Sequence, residues 1–106
     1  MLDGAKPPTA FVASSIVSAL GIRRAVEERG LAMGSEISIL CFDDEISYLP
    51  NGRTAPVFTA MRSSVRAAGR RCAELLIDQI SRPDQELQTE LWDAELVTGT
   101  STGPCP

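Results

Sequence analysis

The stretch E-I-S-I-L-C-F-D-D (36–44) decides the fold. Ile37 and Ile39 alternate with Ser38, the run then turns fully apolar through Phe42, and it stops at two aspartates. A short apolar run bounded by polar residues reads as a strand buried on both faces. A second such run, T-A-F-V-A (9–13), follows Pro7-Pro8 and leads into Ser14 and Ser15. Either serine can cap a helix by accepting a backbone N–H bond. Ala19, Ile22 and Val26 then share one stripe at helical spacing, and Gly30 supplies the left-handed residue that ends a helix predicted over 15–29. A connection of that length joins parallel strands, right-handedly. The unit is βαβ and the class is α/β.

Outward from this unit the pattern changes. Residues 45–56 read as a loop, with Pro50-Asn51-Gly52 at a turn. A short strand is expected over 57–61. Ser63 or Ser64 caps a second helix to Ser81, with Val65, Ala68, Cys72, Leu76 and Ile80 on one side, and Pro83 stops it. Strands are expected over 87–92 and 95–99. Either Asp93-Ala94 turns a hairpin between them, or one extended segment passes from one sheet to another. Residues 3–8 and 101–106 should be loose unless docked. Two helices cannot cover both faces of about five strands. The chain is therefore expected to be part of a larger fold or to self-associate.

The chain has 106 residues and a mass of 11.4 kDa, room for one small domain or a piece of a larger one. Apolar residues make up 43%, too many for a disordered tail. The net charge of −4 opposes nonspecific binding to a phosphate backbone. Arg62, Arg66 and Arg70, at i, i+4 and i+8, accordingly read as a solvated helix face. The absence of histidine excludes His-dependent metal sites and Ser-His-Asp triads within this chain. Cys41 and Cys72 read as small packing residues and Cys105 as a tail thiol, which suits a reducing cytoplasm. No apolar run is long enough to span a bilayer, and the first residues lack the order of a secretory signal.

Ligands of open α/β sheets bind beyond the carboxyl ends of the strands. Here those ends carry Ser14-Ser15 and Asp43-Asp44. Hydroxyls and free N–H groups donate, while a carboxylate accepts, a mixture that suits a neutral polyol such as a sugar. The same residues also fit a plain helix cap and an acidic turn. A different class of function, a Mg²⁺-dependent phosphoacceptor or phosphatase-like site on Asp43 and Asp44, usually needs a lysine to balance the phosphoryl charge. The only lysine is Lys6, in the N-terminal tail. A third possibility is a structural fragment that self-associates and binds nothing. Trp92 fits either a sugar platform or a core position.

The order P-T-A-F-V-A-S-S (8–15), A-L-G (19–21), E-R-G-L (28–31) and E-I-S-I-L-C-F-D-D (36–44) resembles the effector-binding domain of LacI/GalR-family transcription regulators. F-T-A-M-R-S-S (58–64), followed by the glycine and A-E-L-L of the second helix, and E-L-V-T-G-T-S-T-G (95–103) continue the likeness over nearly the whole chain. The resemblance implies a type I periplasmic-binding-protein fold, of which this chain matches the C-terminal part. Residues 9–58 would belong to the C-terminal subdomain and 62–92 to a segment crossing into the N-terminal subdomain. Residues 94–101 would be the returning strand, with tails at 1–8 and 104–106. It implies that Asp43 bonds sugar hydroxyls and that Ser15 stands where the family has asparagine, with Ile16 replacing the aspartate that follows. It also implies a homodimer built on Ile16, Val17 and Leu20 of the first helix with Tyr48 and Leu49 of the loop. The implied protein is a cytoplasmic, non-enzymatic sugar-effector module without cofactor, metal or membrane contact. Its DNA-binding domain is supplied from outside this chain.

Overall fold

A computed structural model describes residues 1–45 and 48–106; Ile46 and Ser47, in the loop expected over 45–56, lie outside the described residues. The elements are β1 (Ala10–Ala13), α1 (Ile16–Glu27), β2 (Ser38–Asp43), β3 (Thr59–Arg62), α2 (Val65–Ser81) and β4 (Glu95–Val97). They form a four-stranded sheet in the order β1-β2-β3-β4. β1, β2 and β3 run parallel and β4 runs antiparallel to β3. The βαβ unit read from the sequence is present, with Ala13 opposite Cys41.

The two-residue period of the strands sorts side chains onto two faces. Phe11 and Ala13, Ile39 and Cys41, and Ala60 share the face that α1 covers. Ile16, Ala19 and Val26 of α1 are buried against it. Ile39, Cys41, Ala60, Ala19 and Val26 are fully buried, and a side chain the size of Ile39 contributes about 1.5–3 kcal/mol on leaving water. The resemblance groups Ile16 with Val17 and Leu20 as homodimer contacts, burial within the chain being the alternative. Ile16 belongs instead to the core, because the first turn of α1 aims it at the sheet, while Val17 and Leu20 remain exposed. The opposite face is largely uncovered apart from Thr59: Val12 is 78% exposed, Phe42 46% and Leu96 59%.

The C-terminal segment is docked, not loose. Ser101 is fully buried between β2 and β3. Its hydroxyl accepts from the Thr59 N–H at 2.8 Å and donates to the Ile39 carbonyl, while its own carbonyl accepts from the Ile39 N–H at 2.8 Å. Thr59 and Thr102 hydroxyls meet at 2.6 Å. Gly99 passes so close to Phe58 that a Cβ there would sit 2.5 Å from its carbonyl carbon.

α2 leaves this core. Its start is fixed by backbone bonds from the Ser63 N–H to the Asp43 carbonyl, 3.0 Å, and from the Val65 N–H to the Asp44 carbonyl, 3.3 Å. Ser64 caps it by accepting from the Ala67 N–H at 3.1 Å. Beyond that point α2 packs on no strand and not on α1, and none of its side chains is buried. Cys72, expected as a packing residue, is exposed for that reason. The strand expected over 87–92 is absent. The segment lies along α2, where Arg71 binds Glu90 through paired bonds of 2.9 and 2.5 Å, and no sheet edge reaches it to complete a ladder. One extended path, not a hairpin, therefore returns to β4. The radius of gyration is 18.4 Å, against about 13 Å for a compact domain of roughly 100 residues.

Candidate functional site

The register of the sheet brings the polar strand ends together. Asp43 lies opposite Arg62 on β3, and Arg62 lies opposite Glu95 on β4. Residues paired across a ladder share a face, about 4.8 Å apart between strands. Ser15 stands two residues past Ala13, as Asp43 stands two past its partner Cys41. The order Ser15, Asp43, Arg62, Glu95 thus runs across the carboxyl end of the parallel strands.

Asp43 is the buried member, 7% exposed. Its Oδ1 accepts the Glu45 N–H at 2.9 Å, an aspartate turn that swings the chain away from β2. Glu45 takes the left-handed conformation to allow this, with φ of 56°, at a cost of about 1–2 kcal/mol for a side-chain-bearing residue. The neighbouring Cys41 thiol is pushed up by burial and then by the Asp43 charge, so it stays protonated.

Two depressions meet at Asp43. One, about 30 Å³, is shared with Ser15, Asp44, Phe42 and Leu49. It has room for water but not for a sugar ring. Ser15 spends its hydroxyl on α1, accepting the Ser18 N–H at 3.2 Å and donating to the Ser18 hydroxyl. Ser15 and Asp43 do converge, and Ser15 is also the cap. Ser14 is exposed and does not line their shared space. The other depression, about 290 Å³, lies among Asp43, Glu45, Asn51, Arg62 and Val97. Asn51 is structural there: its amide donates to the Phe58 carbonyl and accepts the Phe58 N–H, both at 2.8 Å.

Arg62 is the residue that sequence reading missed. Its spacing from Arg66 and Arg70 suggests a solvated helical face. The structure puts it on β3, outside α2, because the helix starts only at Val65. Its Nη2 donates to Glu95 at 2.6 Å, and its Nε lies 3.8 Å from Glu45. Glu95 foremost, then Glu45 and Asp43, push its pKa above the ordinary arginine value. Only the β2–β3 register, which depends on loop geometry, could have signalled this neighbour of Asp43.

Trp92 lies elsewhere, beside α2. It borders a groove of about 370 Å³ with Phe42, Cys72, Leu75 and Glu90, and its indole N–H donates to Glu90 at 3.2 Å. Of the expected dimer residues, Val17, Leu20 and Tyr48 are exposed, and Leu49 is half-buried against the core. Among the described residues no cluster of three or more acidic or cysteine side chains is placed to hold a metal ion. No helix is long and apolar enough to cross a membrane.

Comparison with known proteins identifies the family. The periplasmic binding protein-like domain family matches residues 1–102. The chain is 45% identical over 100 residues to the HTH-type transcriptional regulator AglR of Rhizobium meliloti (strain 1021), covering 94% of this chain and 28% of the regulator. It is 30% identical over 107 residues to the HTH-type transcriptional repressor CytR of Escherichia coli K12, covering 100% of this chain and 30% of that protein. It is 31% identical over 88 residues to the HTH-type transcriptional repressor PurR of Haemophilus influenzae, covering 83% and 25% respectively. The chain thus spans less than a third of the length of these curated relatives. By the match over nearly its whole length, by the regulators it resembles and by its α/β core, the chain belongs to the periplasmic binding protein-like family, as part of the ligand-binding domain of a LacI-family transcription regulator.

Proposed function

We propose that this chain is the effector-sensing module of a LacI/GalR-like regulator and binds a sugar or similar small polyol at the carboxyl end of β1 and β2. The observation that carries the reading is Asp43, nine-tenths buried yet bordering two depressions, one of them shared with Ser15. A carboxylate with one oxygen held by the backbone is fixed in direction, and its second oxygen, without a partner among the described residues, can accept ligand hydroxyls. Ser15 contributes a shorter polar contact beside it, and Ser14 at most an outer one. Effector binding would bias the setting of an opposed subdomain, and through it a DNA-binding domain outside this chain, without direct DNA contact from these residues. Val17, Leu20, Tyr48 and Leu49 would contribute the homodimer contact. Ile16 supports that surface from beneath. The proposed role is a cytoplasmic one without catalysis or cofactor, a reading supported by the likeness to HTH-type transcriptional regulators.

A calorimetric and thermal-shift screen of neutral sugars tests this, run on the chain and on the 45%-identical regulator from Rhizobium meliloti. A saturable ligand is expected. Asp43→Asn, which keeps the shape and removes the charge, should weaken it by about 1.5–3 kcal/mol, or roughly tenfold to a hundredfold. Unchanged affinity in the folded variant would exclude Asp43 as the ligand contact.

A further inference from the structure

We propose that Arg62 is a second ligand-contacting residue of this site, forming with Asp43 a donor–acceptor clamp on neighbouring hydroxyls of an uncharged polyol, and that the carboxylates around it exclude anionic ligands. The inference rests on the polyol reading above and names the ligand class more narrowly. Its basis is the larger depression, about 290 Å³, into which the site opens on the side away from Ser15. That volume approaches the small end of ligand pockets, which begin at about 300 Å³.

Two complementary groups line it from adjacent strands. Asp43 and Arg62 are register partners on β2 and β3, so their side chains leave the sheet on one face. Asp43 keeps Oδ2 without a partner among the described residues, since only Oδ1 accepts the Glu45 N–H. Arg62 keeps Nη1 likewise, since its Nη2 is taken by Glu95 and its Nε faces Glu45. One acceptor and one donor on neighbouring strands match two adjacent hydroxyls, one donating and the other accepting.

Glu95 also orients the guanidinium before any ligand arrives. A planar fork held at one edge loses less freedom when its other edge binds. Charge then sets the class of ligand. Asp43, Glu45 and Glu95 place three carboxylates around the one guanidinium of Arg62. A phosphorylated or carboxylated sugar would meet a surplus of negative charge, whereas an uncharged sugar meets only hydrogen-bonding groups.

The test is isothermal titration of the 106-residue chain with neutral sugars and with phosphate esters of the same sugars, at low salt. Circular dichroism checks the fold of each variant. The neutral sugar should bind at least about tenfold more tightly than its phosphate ester. Arg62→Gln should weaken the neutral sugar by about tenfold or more. Glu95→Gln, which removes one surrounding charge, should narrow the gap between the neutral sugar and its ester. If Arg62→Gln does not fold, Arg62→Lys, which keeps the charge but loses the planar fork, takes its place with the same expected and overturning outcomes. Arg62→Gln binding within about twofold of the parent while Asp43→Asn fails would overturn the clamp and leave the Asp43 site standing. An ester bound as tightly as the neutral sugar would overturn the charge selection. No neutral sugar bound by the folded parent chain would overturn both the clamp and the polyol reading beneath it.

Discussion

Ser101 shows how much one small polar side chain can hold in place. It is fully buried, and its hydroxyl both accepts the Thr59 N–H and donates to the Ile39 carbonyl, tying the C-terminal segment across the starts of β2 and β3. Ser101→Ala would leave a buried donor and a buried acceptor without these partners. A loss of about 2 kcal/mol is expected, or roughly 10 °C in melting temperature, read by thermal unfolding. A melting temperature unchanged by the substitution would show that water replaces both bonds. At this scale the sequence was uneven. The caps are legible to within one residue, Ser14 or Ser15 and Ser63 or Ser64, because capping is a local event over three residues; the structure uses Ser15 and Ser64. The roles of Ser101 and Arg62 are not legible in this way, because their partners lie 42 and 33 residues away along the chain.

The two helices had equally plain sequence periodicity and met different fates. α1 buries Ile16, Ala19 and Val26, because a strand on either side of it brings the sheet against its apolar stripe. α2 buries nothing and is tethered at its first turn, through Arg71 to Glu90, and near its end by Gln85, whose amide donates to Asp78 at 2.7 Å. The Glu90 carboxyl is held below the usual glutamate range, first by its bonds from Arg71 and then by the Trp92 indole. A depressed carboxyl keeps its contacts above the ordinary value and loses them as pH falls through the lowered one. Trp92, the sole tryptophan, reports this directly. Its emission should stay constant through the ordinary glutamate range near about 4.3 and change only at lower pH. Glu90→Gln should abolish that step. A midpoint at or above the ordinary value would refute the Arg71–Glu90 clamp. The strand expected over 87–92 failed on the same ground: its alternation is real, but Leu87 and Leu91 are 83% and 98% exposed and no neighbouring strand accepts its backbone.

Over the whole molecule, apolar surface is left over. The uncovered face of the sheet shows Val12, Phe42 and Leu96, and α2 shows Leu76, Ile77 and Ile80. With a longest dimension of 59 Å, the chain is too drawn out to fold these surfaces onto one another. The chain on its own should therefore self-associate, with a light-scattering mass that rises above 11.4 kDa as concentration increases. A constant monomer mass at high concentration would contradict this. The sequence by itself determined the βαβ unit, its caps and its polar strand ends, because these follow from periodicity and from hydrogen bonds between near neighbours. It also showed a shortage of helical cover. Only the tertiary structure decided that Arg62 stands beside Asp43, that Ile16 turns inward, that Ser101 locks the sheet and that α2 stands clear. Strand register and docking are settled by contacts between residues far apart in the chain, and no local pattern encodes them.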